Sequence, residues 1–390
     1  MNKIESWLND NGRDRVSKIK DGKFSKNVIL IIVESFESFT IDSKINGKEI
    51  TPCINRLLKN EKCLYASKVL PQIKDGRSSD IQVIINTGLL PINSCATCFR
   101  YPHNNYFSLA KALKNKGYNS HTFISNKPSF WNQGEMTKAY GYDDLYSQEN
   151  LLQNDIVGMG ISDSSLFVQS ARIIKKFRQP FFTQMVTLSS HTPFIIPENK
   201  IKLKLPKDST IKLFDYLTSI NYVDNAIGEF IENLKKEGLF NNSMIIITGD
   251  HNAFITKEYE QFSKDKYGKD FTSKYGYVPL IVINAPKTFQ YDNVIGQIDI
   301  YPTLIDLMNL TDYNFMGLGT SLLNKKKPSF AINSRFKAFG DTSKVIKKDI
   351  NHKISAWEIS DLMIKTNYFN YIPNSRSTSL KRNVQILMTP

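Results

Sequence analysis

What this chain lacks narrows its class before any motif is read. None of its 390 residues falls in an apolar stretch approaching the ~20 that a membrane-spanning helix needs. The longest run, Val28 to Val33, has the size of a buried strand. Residues Met1 to Arg15 mix charges and amides and hold no apolar segment of the kind that marks a signal peptide, so a soluble chain is expected. Four cysteines are too few for a disulfide scaffold. Cys95 and Cys98 have the spacing of a redox pair or of half a zinc site, but no second Cys-x-x-Cys or His-x-x-x-His completes a tetrahedral set; free thiols or one incidental disulfide are expected. Internal repeats and low-complexity segments are absent as well.

What is present suits a large core: 41% of the residues are hydrophobic and 12% aromatic, enough for one large α/β domain or two ordinary ones. Lys and Arg number 51 against 37 Asp and Glu, a net charge of +14 that would suit nucleic acid, a phospholipid surface or a phosphorylated substrate. The lysines are dispersed, and short clusters such as Lys325-Lys326-Lys327 read as solvated surface.

Short β-branched runs alternate with helix-period segments, which predicts a doubly wound α/β fold with a mostly parallel sheet flanked by helices. Buried strands are expected at 27–33, 121–124, 181–187, 244–248 and 279–283, and helices at 52–60, 78–87, 108–116, 164–177 and 215–237. Residues 1–25 read as a polar lead-in outside the core, 26–325 as the main domain, and 326–390 as a small C-terminal α+β subdomain reached through a linker-like turn at Lys325 to Pro328.

Ligands of doubly wound sheets bind beyond the C-terminal strand ends. Three such places carry chemistry: Val28–Val33 runs into Glu34, Met244–Thr248 runs into Gly249-Asp250-His251, and the loop Asp75-Gly76-Arg77-Ser78-Ser79-Asp80 enters a helix. Glu34, Asp250, His251 and a serine hydroxyl converging on one sheet edge would form an oxygen- and nitrogen-rich site for one divalent cation such as Mn²⁺, Mg²⁺ or Zn²⁺. Coordination would stabilise the serine alkoxide as a nucleophile, and the helix N-terminus would favour a phosphate. Taken singly, Glu34 also reads as a salt-bridge partner and Ser78 or Ser79 as a helix cap.

These residues are where the chain resembles a known family, the sulfatase-like branch of the alkaline phosphatase superfamily, and within it the catalytic domains of lipoteichoic acid synthases, which are phosphoglycerol transferases. The resemblance runs from about Asn27 to Phe369 through Thr51-Pro52, Gly76-Arg77-Ser78-Ser79-Asp80, Ser129-Phe130-Trp131-Asn132, Ser189-Ser190-His191-Thr192-Pro193-Phe194, Gly249-Asp250-His251 and Gln297-Ile298-Asp299. It implies metal ligation by Glu34, Ser78, Asp250 and His251, with Mn²⁺ the favoured ion. Ser78 stands at the family's catalytic threonine and would become esterified to the phosphoryl group, with Ser79 as the rival. His191 matches a substrate-side histidine, and Phe130 and Trp131 match aromatics at the headgroup site, although such a pair is as readily core packing. His103, His121 and His352 match no role.

Two departures bear on the substrate. The family follows Phe-Trp-Asn with an arginine where this chain has Gln133, and its polar His-Gly-Asn type turn is Ile124-Ser125-Asn126 here. Losing an arginine removes a bidentate phosphate contact. A formylglycine sulfatase is disfavoured, because Ser78 is followed by Asp80 and Gln82 where that modification requires Pro and Arg.

The expected activity is therefore a metal-dependent phosphotransferase acting on an anionic phospholipid headgroup or polyol-phosphate donor. Its alternatives are a hydrolytic phosphodiesterase, a phosphoethanolamine transferase, or a non-catalytic basic domain that binds an anionic polymer. The resemblance places such a domain on the extracytoplasmic face of a bacterial membrane, with that surface as a partner and no nucleic acid expected.

Overall fold

A run such as Asn27–Val33, apolar on both faces, is stable only between two helical layers, and the chain builds its sheet around it. The computed structural model describes residues 2–11, 24–205, 212–253, 275–310, 313, 315–343 and 345–372. The main sheet has nine strands: β1 (Asn27–Val33), β2 (Cys63–Leu70), β3 (Asn119–Ile124), β4 (Asp144–Tyr146), β5 (Phe181–Val186), β6 (Ser243–Gly249), β7 (Val278–Ile283), β8 (Phe289–Tyr291) and β9 (Ile295–Gly296). Their order is β8-β2-β7-β6-β1-β5-β3-β4, with β9 also on β2. All pairs are parallel except those that β7 makes with β6 and β2.

Alternation along β1 divides the interior. Val28, Leu30 and Ile32 enter one apolar cluster, and Ile29, Ile31 and Val33 enter the other. The first face is covered by helices that include α3 (Ser78–Thr87), α4 (Leu109–Lys114) and α7 (Ile300–Leu307). The second is covered by α2 (Pro52–Asn60), α5 (Asp163–Ile174) and α6 (Lys212–Lys236), whose Ile220, Val223, Ile227, Ile231 and Leu234 point inward. Ser108 caps α4 by accepting from the Lys111 amide at 3.2 Å. The expected layers are thus present, with β2, β4, β8 and β9 added to the strands read from sequence. β2 escaped notice because its residues are only partly apolar and half of them are not fully buried.

The lead-in expected outside the core is corrected, while the C-terminal segment has the expected α+β make-up and packs on the main core. Residues 2–11 are not a lead-in outside the core but a helix, α1, whose Ile4 and Trp7 join the first apolar cluster; Trp7 stacks on His352 at 4.6 Å between ring centroids and donates to Ser355 Oγ. Within 326–390, the hairpin Phe330–Ile332 and Ala338–Gly340 precedes α8 (Lys347–Lys365). Trp357, Ile359, Met363 and Ile364 of α8 belong to that same cluster, so this segment shares the main core; residues 373–390 lie outside those described. All four cysteines are free thiols.

The lysine cluster is not uniformly solvated either. Lys327 is buried with its Nζ 2.6 Å from Asp299 Oδ2, and the same carboxylate accepts from the Gly296 and Thr320 amides. Removing the cation would strand a buried charge. Lys327→Met is therefore expected to cost about 3–5 kcal/mol in a denaturant titration, whereas Lys325→Met, on exposed surface, should stay within about 0.5 kcal/mol.

Candidate active site and metal centre

Strand register brings the acidic groups together. β1 and β6 are parallel with Val33 opposite Gly249, so the next residues, Glu34 and Asp250, leave the sheet side by side, and the Asp250 amide donates to the Val33 carbonyl at 3.0 Å. Gly249 is required at this point, because a Cβ there would lie 2.1 Å from the Phe36 carbonyl oxygen. Both carboxylates are buried, as is His251. One ligand atom from each of Glu34, Asp250 and His251 lies within 4.8 Å of the others. His251 Nε2 is 3.6 Å from Glu34 Oε1 and 3.4 Å from Asp250 Oδ2. The Nδ1 of His251 faces the Asn252 carbonyl at 2.9 Å, which requires the proton on Nδ1 and turns the Nε2 lone pair toward the carboxylates.

Ser78 completes the group. Its Oγ donates to Glu34 Oε2 at 3.1 Å and lies 3.4 Å from His251 Nε2. It occupies the first turn of α3, which starts abruptly: Arg77 has φ 48°, and the buried Asp80 carboxylate accepts from the Lys74 and Gly76 amides at 2.8 and 3.0 Å. A side chain at Gly76 would strike Asp80 Oδ1 at 2.1 Å. Ser79, the rival, turns inward and donates to the Gly76 carbonyl at 2.6 Å.

The donor set fits a dication. Asp250 Oδ2 is buried with no hydrogen-bond partner, an orphan that costs free energy unless a charge meets it. Burial, and after it the adjacent Asp250 carboxylate, push the Glu34 carboxyl well above its usual range. A cation at the focus of these atoms would offset both penalties. Ligand atoms at bonds of about 2.0–2.2 Å around a small ion stand roughly 3–3.5 Å apart, close to the separations seen here.

A cleft of about 310 Å³ opens above this focus. It is lined by Glu34, Ser78 and His251 and also by His191, Phe130 and Trp131, whereas Asp250 and the rival Ser79 are buried outside the lining. The Nδ1 of His191 faces the Thr192 carbonyl at 2.7 Å. Its loop is anchored by the buried Asp163 carboxylate, which accepts from the Leu188 and Ser189 amides at 2.8 and 3.1 Å. Trp131 packs on Phe99 with centroids 5.6 Å apart. The two departures named above, Gln133 and Ser125-Asn126, also line the cleft. His121 is elsewhere, buried against Asp144 and stacked on Phe177.

Several contributors were not singled out from sequence. Ser35, at φ 54°, donates from Oγ to Glu34 Oε1 at 2.9 Å and from its amide to Asp250 Oδ1 at 2.7 Å. Thr187 Oγ1 accepts from the Glu34 amide at 3.0 Å, and Gln297 Nε2 donates to the Asp250 carbonyl at 2.7 Å. Arg77 presents the only guanidinium of the cleft lining among the described residues. Its position next to Ser78 was the available signal. Five of the twelve non-glycine residues with positive φ among those described, Ser35, Arg77, Trp131, Asn132 and Phe194, lie at or next to this cleft, where each stores backbone strain.

Likeness to known proteins extends over most of the chain. The sulfatase family model matches residues 26–310. Lipoteichoic acid synthase 1 of Bacillus subtilis is 31% identical over 309 residues, 77% of this chain and 48% of that protein. Lipoteichoic acid synthase 2 of the same organism is 29% identical over 338 residues, 84% of this chain and 51% of that protein. The chain thus spans about half the length of these relatives. The crystal structure of the lipoteichoic acid synthase LtaP from Listeria monocytogenes superposes with a TM-score of 0.81 at 23% identity, over 95% of this chain and 99% of that one. The chain therefore belongs to the sulfatase family, in the part of it that holds the lipoteichoic acid synthases.

Proposed function

We propose that this domain is a metal-dependent phosphotransferase of the phosphoglycerol transferase kind, taking its phosphoryl group from a phospholipid or polyol-phosphate donor on the extracytoplasmic face of a bacterial membrane. The observation that carries the reading is the convergence of the Ser78 hydroxyl with Glu34 and His251, beside an unpartnered Asp250 oxygen, at the floor of a cleft. The relatives named lipoteichoic acid synthase support the donor class. The proposed resident ion is Mn²⁺, with Mg²⁺ or Zn²⁺ as substitutes, because two carboxylates, a hydroxyl and one imidazole form a mostly hard donor set. Bound there, the ion would supply the positive charge that lowers the proton affinity of the Ser78 hydroxyl.

Glu34, Asp250, His251 and Ser78 would hold the ion. The Ser78 proton would be released to solvent when the ion is held; Ser78 Oγ then forms a bond to phosphorus while the bond from phosphorus to the donor's leaving oxygen breaks. The positive end of the α3 dipole would favour charge developing on the phosphoryl oxygens, although the Ser79 and Asp80 amides themselves donate to the Gly76 and Arg77 carbonyls. His191 gives a proton to the leaving oxygen and removes one from the acceptor hydroxyl, which then displaces Ser78. Phe130 and Trp131 wall the headgroup. Arg77 takes the cationic contact that Gln133 does not offer.

Ser78→Ala is expected to abolish transfer from phosphatidylglycerol and the covalent adduct seen by mass spectrometry of the intact protein, whereas Ser79→Ala keeps an adduct on Ser78. An adduct that persists in Ser78→Ala would disprove the assignment. Asp250→Asn should weaken Mn²⁺ binding in calorimetry by roughly 100-fold or more, since a ligand is lost outright. Because a proton and the ion compete for Glu34, wild-type Mn²⁺ affinity should rise from pH 6 to pH 8. Arg77→Gln is expected to lower kcat/KM about 10- to 100-fold, the worth of one charged hydrogen bond of about 1.5–3 kcal/mol.

A further inference from the structure

Several buried carboxyl groups outside the donor set have a plain task. Asp80 and Asp163 each accept from two loop amides, Asp224 accepts from the Cys53 and Ile54 amides that open α2 at 2.9 and 2.8 Å, and Asp299 pairs with Lys327. Glu37 departs from that pattern. It is buried, no cation pairs with it among the described residues, and burial pushes its carboxyl up to about 8. Its Oε1 accepts from a single amide, that of Ala253, at 2.8 Å. A carboxyl buried for one amide costs free energy that an apolar side chain of similar size would not. Its worth therefore lies in what that bond holds.

Ala253 closes the turn that carries Asp250 and His251. Its N–H and the Asn252 carbonyl belong to one trans peptide unit, whose two polar groups point in opposite directions. That unit is held on both edges, because the Asn252 oxygen faces His251 Nδ1 at 2.9 Å while the Ala253 N–H donates to Glu37. Were the peptide to rotate, His251 would lose the acceptor that keeps its proton on Nδ1 and leaves Nε2 able to ligate. Glu37 is itself fixed: its amide donates to Tyr216 Oη at 3.2 Å, Thr40 Oγ1 donates to its carbonyl at 2.7 Å, and the Tyr216 hydroxyl donates to the Ser35 carbonyl at 2.8 Å. With the Ser35 amide on Asp250 Oδ1, the bond to Ala253 ties the turn after β1 to the turn after β6. We propose that Glu37 is a positioning residue of the metal centre, its carboxyl acting through the Asn252–Ala253 peptide to hold the His251 imidazole in the Nδ1–H form with Nε2 toward Glu34 and Asp250. This rests on the metal-centre reading and adds to it the group that orients its one nitrogen ligand.

The test compares the full chain with Glu37→Gln, which keeps an oxygen for the Ala253 amide, and with Glu37→Leu, which fills the space without an acceptor. Glu37→Leu should weaken Mn²⁺ binding in calorimetry by roughly 10- to 100-fold, the usual effect of losing a group behind a metal ligand, while Glu37→Gln stays near wild type. Ring ¹⁵N–¹H correlation spectra of the metal-free proteins, recorded where the imidazole is neutral and with His251 assigned by the signals lost in His251→Gln, supply the second readout. They should show the Nδ1–H form in wild type and Glu37→Gln and a mixture of tautomers in Glu37→Leu. Equal Mn²⁺ affinity or an unchanged tautomer in Glu37→Leu overturns the proposal, as does a loss of affinity in Glu37→Gln as large as that in Glu37→Leu. An Nε2–H imidazole in the wild type overturns it whether or not Glu37→Leu folds. Should the wild type bind no Mn²⁺, the metal-centre reading fails, and the tautomer comparison still decides whether Glu37 orients His251.

Discussion

Two carboxylates buried side by side are the constraint on which the rest of the molecule depends. Parallel pairing of β1 with β6 leaves no choice about where Glu34 and Asp250 go, since each follows the last paired residue of its strand. Like charges in that position repel and are poorly solvated, and the Glu34 carboxyl accordingly holds its proton more tightly than usual. Ser35, Thr187 and Gln297 supply hydrogen bonds to this corner but leave one Asp250 oxygen unmet. A fold that tolerates this arrangement has room for a cation at its centre, and the imidazole and hydroxyl that complete the donor set face that same point.

The surroundings are built to keep the corner open. Non-glycine residues in the left-handed region are uncommon, and each costs backbone energy, of order 1–3 kcal/mol, that the packed layers must hold. Ser35, where β1 ends, Arg77, where α3 begins, Trp131 and Asn132 at the aromatic rim, and Phe194 on the His191 loop are five such residues beside the cleft. Asp80 secures the turn before α3, and Asp163 secures the loop that carries His191. Each buried carboxylate is a fixed acceptor for backbone amides, so the mobile parts of an ordinary loop are tied down beside the cleft.

Much of this was legible in the chain of letters. The apolar run from Val28 to Val33 ending in Glu34, the second run ending in Asp250-His251, and the serines entering a helix at Ser78 are local patterns, and the limits of the helices at 52–60 and 78–87 agree with those expected. Family-type motifs pointed to the same residues. Other features were silent because they depend on contacts far apart in sequence. Trp7 reads as a solitary aromatic in a polar segment until α8 is placed against it, and Lys327 reads as one of three surface lysines until Asp299 approaches. Neither the antiparallel direction of β7 nor the partly apolar β2 leaves a periodic trace that distinguishes it.

Local composition and spacing by themselves determined the strand and helix periods, the α/β class and the residue types able to hold a cation, because those depend on which side chains are apolar and which are ligands within a few positions. Tertiary structure alone decided that Ser78 and not Ser79 faces Glu34, and that Gln133 and Arg77 share one cleft. Those outcomes follow from which strand ends become neighbours and which face of a turn is left outward, and both are settled only when the two apolar clusters close over the sheet.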